Sequence, residues 1–192
     1  MNIAALVSLP RNWGWAQPNL DRLCGGGAAD AAVDDWLDKA RIILPTENLI
    51  EAANFAEAFR NAFQDLENAP PSRNSKRAER LVQLRQDAEE SLRLAYEQGL
   101  EAEIFRQIPL LCRAASPDQI ANLESQARAL RRIELIGRRF GMDHGYDGAA
   151  KRILMAIGEA KQRLTPDGLT KLDLARMAEI LLGPDMALDV LD

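Results

Sequence analysis

Apolar side chains recur every three or four positions from Asp30 onward, which is the spacing of an amphipathic α-helix. Aromatic residues make up only 5% of the chain, and Ala, Leu, Arg and Glu are abundant. Straight-chain residues of this kind lose little rotamer freedom in a helix. The sequence therefore predicts an all-α protein: an irregular antiparallel bundle of about six helices, with an extended N-terminal arm.

Prolines and capping residues divide this pattern into separate helices. Pro45 ends the first helix, and Thr46 is the expected N-cap of the second. The third helix is long, from about Lys76 to Gln107, and Pro109 is expected to kink or end it. Its apolar seam becomes rich in Ala and Gly toward its end, which would let another helix approach closely.

Three further helices are expected in the second half of the chain. Ser116 is the predicted N-cap of the fourth helix, because Pro117 occupies its first turn. Thr165 is the predicted cap of the last full helix, which Gly183 and Pro184 end. The apolar positions of the fifth helix begin with Ile153, Leu154 and Ile157, and residues 185–192 form one terminal turn or two.

The segment between the fourth and fifth helices, RRFGMDHGYDGAAKRIL, holds the chain's only histidine, His144. We interpret it as a turn, with Gly141 ending one helix and Asp147 capping the next. Asp143 and Asp147 have part of the spacing of a calcium loop, but Leu154 stands where a bidentate Glu is required. The sequence thus predicts no metal site here.

The first 27 residues differ from the rest, because prolines and a triple glycine replace the helical pattern. We predict an extended arm and hinge over residues 1–27, followed by a single α-helical domain over residues 28–192. All three tryptophans, Trp13, Trp15 and Trp36, lie in the first 36 residues. A buried indole is a strong anchor, so these residues dock either onto the protein's own helices or onto another subunit.

Charge is unevenly distributed over the 192 residues, whose formal net charge is −5. The first 72 residues carry ten acids and five bases, whereas the remainder is balanced. The two cysteines, Cys24 and Cys112, lack metal ligands at short spacing, which favours free thiols in an intracellular protein. No signal peptide or membrane span is evident, and we expect a cytoplasmic location.

The sequence carries none of the common catalytic motifs. A phosphate loop, an H-E-x-x-H pair, a G-x-S-x-G elbow and an E-x-x-H pair are all missing. We therefore expect a protein that is not an enzyme and that has no cofactor. An activity that depends on His144 as a general base stays the third alternative.

Arginines form a stripe on one face of the fourth helix. At about 100° per residue, five of them fall within an arc of roughly 120°: Arg128, Arg131, Arg132, Arg138 and Arg139. A second basic cluster includes Arg73, Arg77 and Arg80. Such residues contact phosphates, an acidic partner, or acids of the same chain. No aromatic residue interleaves the stripe, so base stacking is not indicated.

The leading hypothesis is a helical adaptor or structural subunit of a multiprotein complex, which binds protein through the arm and an exposed helix face. Homo-oligomers are compatible with it. The alternative is a scaffold subunit of a ribonucleoprotein that contacts phosphates through the arginines, with the small helical subunits of CRISPR effector complexes as an analogy only. The Ala- and Arg-rich composition suggests a bacterial source.

Overall fold

A computed structural model describes residues 48–67 and 75–191, together with Ala31, Asp34, Asp35, Leu37 and Leu44. These residues form helices and turns without any strand, which confirms the predicted all-α bundle. The predicted arm and its boundary at residue 27 lie outside the described residues and stay predictions. None of the described helices is both long and apolar enough to cross a membrane.

The described helices follow one another with short connections. They are α1 (Leu49–Glu67), α2 (Ser75–Gly99), a π-helical segment (Leu100–Phe105), α3 (Gln107–Leu111), α4 (Pro117–Arg139), α5 (Asp143–Lys161), α6 (Lys171–Leu182) and α7 (Pro184–Leu191). Counted with α2, the π-helical segment and α3 as one interrupted helix, these described elements number six, of which five correspond to predicted helices. The sixth, α7, stands where the sequence predicted one terminal turn or two, and most of the predicted first helix lies outside the described residues.

The chain divides into two compact units. The first comprises Met1–Leu44 and Asn54–Ser91, and the second comprises Pro45–Ala53 and Leu92–Asp192. In the first unit, the rings of Phe59 and Phe63 lie 5.8 Å apart in the buried face of α1. Arg77 of α2 is buried in the same unit, and its Nε donates to the Asp34 carboxylate at 2.9 Å.

The second unit has a core of fully buried aliphatic side chains. Helix α6 packs against α4, α5 and α7, while the π-helical segment packs against α3 and α4. The apolar positions predicted for α4 are buried from Leu123 to Ile136, although Ile120 is half-exposed. The largest fully buried aliphatic residues are Leu92, Leu100, Ile104, Ile108, Leu130, Ile133, Ile153, Ile157, Leu169 and Leu174.

The structure confirms one of the three predicted N-caps and contradicts the other two. Ser116 caps α4 as predicted, and Gln119 completes a reciprocal capping box. The predicted caps Thr46 and Thr165 are wrong. Asn48 accepts the first free amides of α1, and Thr170 caps α6 in a box with Asp173. In each case a residue closer to the helix supplies the oxygen.

The long helix is interrupted earlier than the sequence predicts. At its π-helical segment, the amide of Arg106 donates to the carbonyl of Glu101, five residues back. Pro109 lies further on, inside α3. Because proline lacks an amide and its ring crowds the carbonyl four residues back, here that of Phe105, the regular ladder cannot continue across this stretch. Such segments are frequent at functional sites.

The glycine-rich segment is a turn, as predicted, but a shorter one. Helix α4 ends at Arg139, and Gly141 has a φ of 90°, which favours glycine. Helix α5 then begins at Asp143, so the expectation that Asp147 is its N-cap was wrong. Leu154, predicted to be buried, is exposed. Burial of Tyr146 extends the helix through residues whose glycine content disfavours it.

The loop between α5 and α6 is fastened to the end of α3. Thr165 donates its amide to the carbonyl of Cys112, and its hydroxyl to the carbonyls of Cys112 and Arg113. Leu169 donates its amide to the carbonyl of Leu111. Gly168 lies so close that an added Cβ would overlap the Cys112 carbonyl. Thr165 thus closes a long-range contact instead of capping a helix.

We predict that Gly168→Ala destabilises the protein by about 1–3 kcal/mol, because the backbone carbonyls around it are already held by hydrogen bonds. The control is Gly158→Ala in α5, where an added Cβ meets nothing within 4 Å. That change should stabilise by about 0.5–1 kcal/mol through helix propensity. Denaturant unfolding followed by circular dichroism measures both, and equal effects would contradict the close approach at Gly168.

Candidate interaction surfaces

The predicted site residues are distributed between described and undescribed parts of the chain. Trp13, Trp15, Trp36 and Arg73 lie outside the described residues, so the tryptophan hypothesis stays a prediction. The five arginines of the stripe all lie on α4. The structure therefore shows which residues surround those arginines.

Glu134 is the acid at the centre of the stripe, and it is only 5% exposed. It accepts from Arg131 Nη1 at 2.6 Å and from Arg138 Nε at 2.8 Å, one turn to either side. Arg138 also reaches Asp147 of α5 at 3.4 Å. Two guanidinium groups thus neutralise a carboxylate that would otherwise be costly to bury.

A second carboxylate binds two arginines in the same way. Glu124 accepts from Arg128 Nη2 at 3.2 Å, and its other carboxylate oxygen forms an ion pair with Arg176 Nε, on α6, at 3.0 Å. Glu124 was not predicted as a partner from the sequence, although it lies one turn before Arg128. Arg176 could not be anticipated, because it belongs to another helix. The ion pairs join α4 to α6 at the surface.

The remaining arginines of the two predicted clusters differ in their surroundings. Arg139 is exposed, and no ion-pair partner for it occurs among the described residues. Arg132 is half-exposed and Arg80 likewise, and each has interactions within the chain. Arg77 is buried beside Asp34 and does not offer its guanidinium to an outside phosphate.

Two tyrosines pack beneath the stripe. Tyr146 of α5 is 1% exposed, and its ring meets that of Tyr96 of α2 edge to face, with centroids 4.8 Å apart. A Cβ added at Gly137 of α4 would overlap the Tyr146 hydroxyl. That hydroxyl oxygen has no hydrogen-bond partner among the described residues. Gly137 thus makes room for a tyrosine that the sequence analysis did not recognise as a core residue.

A groove of about 300 Å³ opens between the π-helical segment, α3 and α5. Its surface is largely apolar and includes Phe105, Pro109 and Met155, which is 58% exposed. Arg152, on α5, and Arg163, in the turn that follows α5, stand at its rim. The arrangement is a concave apolar strip between charged side chains, on a helix that the core holds in place.

The two arginines of this rim have loose, exposed partners. The Arg152 guanidinium lies 4.9 Å from the centre of the Phe105 ring and 3.6 Å from the Glu101 carboxylate. Arg163 lies 3.9 Å from Glu159. Exposed ion pairs at such distances contribute little, typically about 0–1 kcal/mol. Either arginine can therefore replace its acid with one from a partner at a small cost in free energy.

Helix α7 exposes an apolar face bordered by acids. Leu188 is 65% exposed and Leu191 is 44% exposed, whereas Val190 is buried. Asp185 and Asp189 are exposed, and neither has an ion-pair partner among the described residues. At about 100° per residue, both aspartates lie on the same side of the leucine face, about 60° and 100° from Leu188. The outer face of α7 is therefore apolar and acidic.

A smaller cavity of about 220 Å³ lies between the π-helical segment, α3 and α4 and is lined mainly by amides. Cys112 is a free and buried thiol, as predicted for it. Burial raises its pKa, an effect that Arg163 partly opposes. Among the described residues, His, Cys, Asp and Glu form no group of three or more suited to a metal ion.

Comparisons with protein-family models, with curated protein sequences and with solved structures find no match for this chain.

We predict that the two tyrosines ionise only as the protein unfolds in alkali. Burial, and secondarily the negative charge of Glu134, raises the pKa of Tyr96 and of Tyr146. An unfolded tyrosine ionises near pH 10. The stabilisation from the protonated hydroxyls is therefore fully present below about pH 10 and is lost as the pH rises beyond it.

These are the only two tyrosines in the chain, so absorbance near 295 nm follows them without interference from other tyrosines. A titration should show tyrosinate appearing together with the loss of helical circular dichroism. Tyrosinate that forms near pH 10 while the helices remain intact would contradict the buried pair. Chain unfolded in denaturant is the control, and it should titrate near pH 10.

Proposed function

We propose that this protein is a helical adaptor or structural subunit, not an enzyme, that binds other polypeptides in the cytoplasm. The groove between α3 and α5 is the observation that carries the proposal, because it presents an exposed methionine on a rigid helix. An apolar groove with charged edges is suited to the apolar face of a partner helix. Methionine adapts to differently shaped partners.

A glycine on the same helix, outside the lining of the groove, offers separate support for a partner. Gly158 is exposed in α5, and an added Cβ would meet nothing within 4 Å. A glycine inside a helix is less stable than alanine by about 1 kcal/mol, and no contact within the described residues accounts for it. Close approach of a partner backbone to α5 would give this residue a role.

A phosphate-binding scaffold is the second candidate. The exposed Arg139, together with Arg128, favours it. The pairing of Arg128, Arg131 and Arg138 with Glu124 and Glu134 weighs against it, because bound phosphates would have to displace carboxylates of the same chain. The adaptor hypothesis rests instead on the apolar groove, whose two arginines have only exposed and more distant acids as partners, and we therefore favour it.

Photo-crosslinking in the cells of origin tests the adaptor proposal. With benzoylphenylalanine at position 155, we expect a covalent adduct with another polypeptide, because this side chain lies in the groove. The same probe at the exposed position Gln86, on α2, is the control and should give little adduct. Absence of adducts at 155 would contradict binding in the groove.

Deleting residues 1–27 tests the arm separately. If the tryptophans anchor the same partner, the deletion should lower the adduct yield at position 155 severalfold, since a bipartite contact gains from effective concentration. An unchanged yield would leave the groove as the binding surface and remove the arm from the interaction. Circular dichroism of the truncated chain checks that the helices persist.

Charge reversal separates the two candidate functions. The variant Arg128→Glu with Arg139→Glu leaves both arginine partners of Glu134 in place. Phosphate binding predicts affinity for RNA that falls steeply with salt and at least tenfold in this variant. The adaptor proposal predicts no such affinity and an unchanged adduct at position 155. Salt-dependent RNA binding that the variant abolishes would favour the scaffold.

A further inference from the structure

We propose that the groove between α3 and α5 binds helix α7 of a second copy of this chain. The inference rests on the proposed function, because it takes the groove as a protein-binding surface and names its occupant. Both surfaces belong to the second compact unit, and the structure describes all of their residues except Asp192. Self-association through them makes the protein a homomeric subunit.

Charge complementarity is the first argument. From Met177 to the end of the chain there are four acids, Glu179, Asp185, Asp189 and Asp192, and no base. The groove instead has Arg152 and Arg163 at its rim, each only loosely paired. Asp185 and Asp189, which have no ion-pair partner among the described residues, would thus meet arginines whose exposed partners, Glu101 and Glu159, are weakly held. Opposite charge of this kind steers association and sets its orientation.

Shape and apolar matching form the second argument. Val190 anchors α7 in the protein, so Leu188 and Leu191 are presented outward on a supported helix. At about 1.5 Å per residue, the eight residues of α7 span about 12 Å, close to the roughly 14 Å of α5 from Arg152 to its end at Lys161. Two leucines entering beside Met155 would remove exposed apolar surface from water on both copies.

The two surfaces differ from one another, which determines the kind of assembly. A copy that offers α7 to its neighbour still has its own groove open. The contact therefore either is reciprocated within a pair or continues from copy to copy. In both arrangements the mass exceeds that of the monomer, and the association depends on concentration and weakens with salt.

Two charge-reversed variants of the full chain test the contact by complementation. One carries Arg152→Asp and Arg163→Asp in the groove, and the other carries Asp185→Arg and Asp189→Arg in α7. Each variant alone brings like charges together, so its dissociation constant for self-association should rise at least tenfold. An equimolar mixture pairs the acidic groove with the basic α7 and the native groove with the native α7, and association should return.

Sedimentation velocity at about 50 µM, a concentration at which small interfaces become occupied, provides the measurement. Unmodified protein should exceed monomer mass, each variant should be monomeric, and the mixture should recover. The control, Glu90→Arg with Glu97→Arg, reverses two exposed acids on α2 and should associate normally. Circular dichroism confirms that every variant is folded.

The proposal is overturned if the unmodified chain stays monomeric at this concentration, or if the two variants fail to complement. That failure is distinguishable from failure of the proposed function. A monomeric chain whose position 155 still crosslinks to a different polypeptide keeps the adaptor role and loses only the second copy. A monomeric chain with no adduct at position 155 loses both.

Discussion

The contact on which this architecture most depends is the insertion of Tyr146 against Gly137. It fixes α5 on α4 just after the turn, and the ring also meets Tyr96 of α2. Because the Tyr146 hydroxyl has no partner among the described residues, its placement is stabilised by packing and not by a hydrogen bond. The charged cluster centred on Glu134 lies close by, and Arg138 extends over the same ring at 5.8 Å.

The local sequence pattern was sufficient to predict much of this arrangement. The apolar seam of α4 and its Ser116 cap were predicted from spacing, because both depend on neighbours within one or two turns. The start of α5 was not predicted correctly, since a segment with glycines at 145 and 148 has low intrinsic helix propensity. Burial of Tyr146 outweighs that propensity, and the Gly137 that receives the ring lies on another helix.

The errors at Thr165 and Pro109 have the same origin. A threonine near a helix start satisfies the sequence rule for a cap. The Thr165 hydroxyl instead donates to backbone carbonyls more than fifty residues away. Pro109 was correctly expected to disturb the long helix, yet the disturbance appears as the π-helical segment before it. Both outcomes follow because buried backbone amides and carbonyls must form hydrogen bonds. Only the folded chain determines which partners lie within reach.

Electrostatics distinguishes the arginines of the stripe from those of the groove. On α4 the bases are close to Glu124 and Glu134, so part of their charge is balanced by rigid neighbours. Around the groove of α5, by contrast, two arginines have only exposed and distant acids. The charge available to a partner depends less on how many arginines a face holds than on how weakly the protein's own acids bind them. By that criterion the exposed Arg139 and the two arginines of the groove are the most available charges, and the groove sets its two beside the apolar surface that the proposed partner helix requires.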